Sequence, residues 1–174
     1  MIDRWQLSAH VRDPEKYALY AHGYLDSAIS FCEHMLAHEE RRTWPNAAVV
    51  LLIAAHSVEL FLKGAILARA PGTQTQDQRL DVLARRYGEL YPQASCSFDV
   101  PFRTVSPSVI EIESLALRSA EPVPAIMFRR SHEKKRGEWL TIAAFDAQEF
   151  LDILIGVRTS YERIGKSTTP HMRR

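Results

Sequence analysis

The sequence predicts an all-α protein, an up-and-down bundle of four or five helices. Two long stretches, at about 14–40 and 46–70, place apolar side chains three and four residues apart over many turns. The breaks between periodic stretches are short and marked by proline and glycine, which favours antiparallel neighbours. The second stretch, NAAVVLLIAAHSVELFLKGAILARA, is apolar on nearly every side, and such a helix belongs in the middle of a bundle. With 174 residues the chain fits a single domain, 1–174, whose core spans about 13–165 between a polar lead-in at 1–12 and a disordered tail at 166–174.

The first helix starts at Asp13-Pro14, a capping carboxylate followed by a first-turn proline. Its stripe is Tyr17, Ala21, Tyr24, Ala28, Phe31 and Met35, widened by Leu25, Ile29, Cys32 and Leu36. Gly23 costs this helix about 1 kcal/mol against alanine unless a neighbour packs close there. The charged run Glu39–Arg42 ends the pattern, and the second helix begins near Pro45 or Asn46 and stops at Pro71-Gly72. A third helix, about 78–91, is capped by Asp77, carries Leu80, Leu83, Tyr87, Leu90 and Tyr91, and ends at Pro92. Ser106-Pro107 opens a shorter helix at 107–119. At 122–144 prolines break helix, and the runs AIMFRR and EWLTIA flanking SHEKKRG read as a small β-hairpin near 124–142 or an ordered loop. Asp146 caps the last helix, with Phe150, Ile153, Leu154, Val157 and Tyr161 facing inward.

Composition bounds the function. The formal net charge is +1, so no overall field recruits nucleic acid, and any such contact needs a local patch. Two cysteines, Cys32 in an apolar helix and Cys96 in a loop, do not make a disulfide framework. The N-terminus is too polar for a signal peptide, and the run Ala47–Ala55 is too short for a membrane span, so the expected location is cytoplasmic with no membrane partner.

Within the apolar second helix, Leu52, His56, Glu59 and Lys63 fall on one face. Glu59 and Lys63 form an i, i+4 pair in the favourable order, which a carboxylate and an ammonium in such a helix require. The line reads as a buried polar seam that fixes register, or as a ligand site in which Lys63 meets phosphate, His56 donates and Glu59 orients them. A second candidate is the basic run Arg129, Arg130, His132, Lys134, Lys135 and Arg136, either a phosphate or RNA patch beside Trp139 or a solvated tip. His22 and His34 read as packing or surface histidines, and Cys32 as a small core hydrophobe. No phosphate loop, nucleophile elbow, dinucleotide fingerprint or metalloprotease motif is present, and no cofactor or metal is expected.

The piece AHSVELFLKG (residues 55–64) resembles the H-x-x-E-L-x-L-K core of the second helix in the HEPN superfamily of helical nucleotide-binding domains. MFRRSH (127–132) sits where many members have an F-R-Y turn, and the resemblance covers about 13–165. It implies an up-down bundle and a homodimer formed across the long helices. Some members are metal-independent ribonucleases, often toxins of toxin–antitoxin pairs, with an R-x4–6-H motif. Others are accessory modules that bind RNA, a nucleotide or a nucleotidyltransferase-type protein partner. Here only Arg4 and His10 have the nuclease spacing, and with 17 arginines and seven histidines about two matches arise by chance. The expected function is therefore a non-catalytic accessory module. The alternatives are an endoribonuclease using His56 or His132 with Arg129 or Arg130, and a structural dimerisation scaffold.

Overall fold

The computed structural model describes residues 13–73, 79–101 and 145–172, with side chains to 167 in the last segment. These residues form an all-α helical bundle of four α-helices without strands. Helix α1 is Asp13–Ala37, α2 is Trp44–Arg69, α3 is Leu80–Leu90 and α4 is Ala147–Met172. Short 3-10 turns lie at Glu39–Arg41 and Ala94–Cys96. The lead-in, the Asp77 cap, the helix expected at 107–119 and the hairpin or loop at 122–144 lie outside the described residues.

The longest seam joins α1 to α2, and α4 then packs mainly on α1. Both pairs run antiparallel. Ser57 of α2 bonds Ala21, whereas Gly64 lies against Pro14 and Tyr17. His22 faces Tyr161 of α4 and Asp26 faces Arg158. Arg42 shapes the corner between α1 and α2 by donating from Nε to the Met35 carbonyl at 3.2 Å and from Nη2 to the Leu36 carbonyl at 2.7 Å. Those carbonyls are the ones a helix C-terminus leaves without partners. α2 opens one or two residues earlier than expected because Trp44 and Pro45 take the first turn, where a missing N–H costs nothing. It closes at Ala70, and Gly72 supplies the left-handed turn at φ +82°.

The core is built from aliphatic side chains of α1, α2 and α4, and Leu25, Met35, Leu62, Ile66, Leu154 and Tyr161 are fully buried. Each such side chain contributes roughly 1.5–3 kcal/mol by leaving water. The buried line on α1 runs through Ala21, Leu25, Ala28, Cys32 and Met35. Of the expected stripe, Ala21, Ala28 and Met35 lie in this line, while Tyr17, Tyr24 and Phe31 form its rim, with Tyr24 37% exposed. On α4 the stripe turns toward Leu151, so Leu151 and Ile164 are buried while Ile153, expected inside, is exposed. The Asp146 cap forms as its position implies, with Oδ1 accepting from the Gln148 and Glu149 amides at 2.8 and 2.9 Å. The α4 backbone continues to Met172, so the tail expected from Lys166 is helical for most of its length. Cys96, expected in a loop, sits buried in the second 3-10 turn.

The glycine that packs tightly is Gly64, not Gly23. A Cβ on Gly64 would meet Tyr17 Cβ at 3.0 Å and the Pro14 carbonyl oxygen at 3.1 Å, whereas one on Gly23 would meet nothing within 4 Å. The backbones of α1 and α2 approach so closely there that a Cβ would fit only if the neighbours gave way by a few tenths of an ångström. Gly23→Ala is expected to stabilise the chain by about 1 kcal/mol through helix propensity. Gly64→Ala is expected to destabilise it, because overpacking against a backbone carbonyl costs about 1–3 kcal/mol and outweighs the same propensity gain. Urea midpoints of the two variants moving in opposite directions are the check.

Candidate functional site

Helical spacing brings His56, Glu59 and Lys63 together on α2. Lys63 Nζ donates to Glu59 Oε1 at 2.7 Å, and His56 Nδ1 lies 3.5 Å from Glu59 Oε2. The two ionic side chains are nearly buried, at 10% and 11% exposure, while the His56 ring is 39% exposed. On its other side that ring meets Tyr24 of α1 edge-on, with centroids 4.8 Å apart. Burial pushes the Glu59 carboxyl upward, but the bonds from His56 and Lys63 and their charge outweigh it and hold the group below its usual range. Glu59 is therefore a carboxylate at neutral pH and not a proton donor. The Lys63 ammonium is spent on it, which leaves the line no unpaired cation for a phosphate.

Arg129, Arg130, His132, Lys134, Lys135 and Arg136 lie outside the described residues, as do Trp139 and the Arg4–His10 pair. Leu52 is partly buried beside the polar line. His34 is exposed near the end of α1, with its ring 4.4 Å from that of His38. Cys32 is buried, and burial followed by the Glu33 charge pushes its thiol up to about 11. It stays protonated at neutral pH and is no nucleophile.

Three arrangements escaped the sequence reading. Ser57, in the core, donates its hydroxyl to the Ala21 carbonyl at 2.7 Å and lies 3.2 Å from Tyr161 Oη, so one hydroxyl ties α2 to both α1 and α4. Burial holds the Tyr161 phenol well above its usual range, against a smaller downward effect of Ser57. Tyr161 also stacks flat on Phe61, with centroids 3.9 Å apart, in an aromatic group that includes Phe98 and Tyr87. Finally, a groove of about 530 Å³ between α1 and α4 is lined by His22, Asp26, Ser30, Glu33, Arg158 and Glu162. Here a histidine and an arginine do converge. Arg158, however, donates to Asp26 at 2.8 Å, and with Glu33 and Glu162 the lining holds three carboxylates against one guanidinium. That balance repels a polyanion. Tyr161 is expected to face inward and His22 to be a packing or surface histidine, but none of these pairings is legible in sequence, because each depends on which faces of distant helices meet.

No family model matches the chain, and no curated protein or solved structure matches it. Among the described residues, no group of three or more His, Cys, Asp or Glu side chains is arranged to hold a metal ion.

Replacing Glu59 by glutamine strands the Lys63 ammonium in a nearly buried position, at a cost of roughly 3 kcal/mol at neutral pH. Because the folded carboxyl sits below its unfolded value of about 4.3, its contribution is complete above that pH and is lost as pH falls through the lower, folded value. The Glu59→Gln variant is thus expected to show a weaker pH dependence of unfolding free energy on the acid side. Urea titrations of both proteins from neutral to acid pH test this, and parallel curves would rule it out.

Proposed function

We propose that this chain is a non-catalytic helical module of the HEPN type, which acts by binding through the open side of α2, and that its first partner is a second copy of itself. One observation carries this reading. Among the described residues α2 is the helix long and apolar enough to cross a membrane, yet only 56% of its most apolar 18-residue stretch is buried inside the bundle. A helix apolar all round needs cover all round. The less covered side runs through Val49, which is exposed, and Ile53, His56 and Leu60, which are partly buried, at spacings of three to four residues. Tyr24 touches His56 there, and Tyr20, 52% exposed, stands one turn away on α1. Trp44, 47% exposed, lies at the N-terminal end of α2. Tyrosine and tryptophan on an apolar strip with little free charge are the composition of a protein-binding surface.

The chemistry around Glu59 supports binding over cleavage. The groups held there are His56 and Lys63, and metal-free phosphodiester cleavage needs an arginine or an unpaired cation at the charged transition state. A dimer across the long helices also suits the resemblance carried by AHSVELFLKG.

Sedimentation across a range of protein concentrations tests the proposal. The wild-type chain is expected to dimerise at micromolar concentration with a melting temperature that rises with concentration. Val49→Glu and Tyr20→Glu change exposed residues, and are expected to give folded monomers. A wild-type chain that stays monomeric at every concentration would sink self-association.

A further inference from the structure

His34 and His38 belong neither to the polar line of α2 nor to its open side. His34 lies in the last turn of α1, and His38 follows that helix in an extended conformation, its amide donating to the His34 carbonyl at 3.1 Å. The two imidazoles stand with centroids 4.4 Å apart, and both are open to solvent, the His38 side chain at 49%. The Glu40 carboxylate lies 3.5 Å from His38 Nδ1.

We infer that this corner is a metal site, in which His34 and His38 chelate one divalent transition cation such as Cu²⁺, Ni²⁺ or Zn²⁺. Two ring nitrogens each at about 2.0–2.1 Å from one ion must stand little more than ~3 Å apart, which rings at the observed separation reach by small side-chain rotations. Glu40 is a positioning residue. By accepting the Nδ1 proton of His38 it fixes the tautomer and leaves Nε2 to ligate, the usual partnership of carboxylate, histidine and metal. The helix adds a further term, since its C-terminal end carries partial negative charge and favours a cation. Two imidazoles make an open chelate whose remaining positions go to water, not a closed cage. Imidazole donors select the borderline transition cations over Mg²⁺ and Ca²⁺, with Cu²⁺ tightest. The bound ion would join the last turn of α1 to the 3-10 turn Glu39–Arg41, the corner from which the chain enters α2.

The test is isothermal titration of the tag-free chain with CuCl2, NiCl2 and ZnCl2, with MgCl2 and CaCl2 as controls, paired with thermal unfolding. One Cu²⁺ per chain is expected to bind, and to raise the melting temperature. His34→Gln and His38→Gln are each expected to lose at least tenfold in affinity, while melting like wild type without metal, because both side chains are exposed. Glu40→Gln keeps both ligands and is expected to lose about tenfold. Absence of Cu²⁺ binding to the wild-type chain, or unchanged affinity in both histidine variants, would overturn the site. Unchanged affinity in Glu40→Gln would overturn the positioning role.

Discussion

The structure depends on one constraint: α2 is apolar around its whole circumference and cannot stand in water. α1 covers one side along most of its length, α3 crosses its second half, where Tyr91 donates to the Ala65 carbonyl, and α4 reaches it through Tyr161. The approach of α1 is close at Gly64, and the two helices bury small residues elsewhere too, the alanines at 21, 28, 47, 54 and 55. Small residues at the contact let more apolar area meet than large ones would, because the helices themselves come together.

The same helix carries its own polar solution. A carboxylate and an ammonium nearly out of water are tolerated because they face each other within one turn and need no partner from another helix. Their charges are spent on each other within the helix, and the part of the line that stays open is the half-exposed ring of His56. Ser57, one residue on from His56, turns into the core. Adjacent residues of one helix thus hold two separate polar systems on two faces.

Local signals were the legible ones. Pro14, Pro45 and Pro71-Gly72 and the Asp146 cap placed helix ends to within a residue or two, because capping and proline geometry act within one turn. The Glu59–Lys63 pair was legible for the same reason. Faces were less so: periodicity gave the stripes on α1 and α4 but not their centres, and Tyr24 and Ile153 fell at or over the rim. The cost set for Gly23 stands, since nothing packs against it, whereas Gly64 was not legible because close approach is a property of two helices and only one was in view. The Asp26–Arg158 pair was invisible for the same reason, its partners standing 132 residues apart. His34 and His38 did have a sequence signal, their spacing of four inside the expected helix, although the helix itself ends at Ala37.

The hydroxyl of Ser57 joins partners at very different distances along the chain, 36 residues to Ala21 and 104 to Tyr161. Loop-closure entropy grows only with the logarithm of length, so the second connection costs about 1 kcal/mol more than the first. α4 is therefore held by its packing and is nearly indifferent to how much chain separates it from α3. The polypeptide between Pro101 and Phe145 is free to lengthen or shorten over evolutionary time at little thermodynamic cost to the bundle. New chemistry can be tried in that interval while the four helices stay as they are.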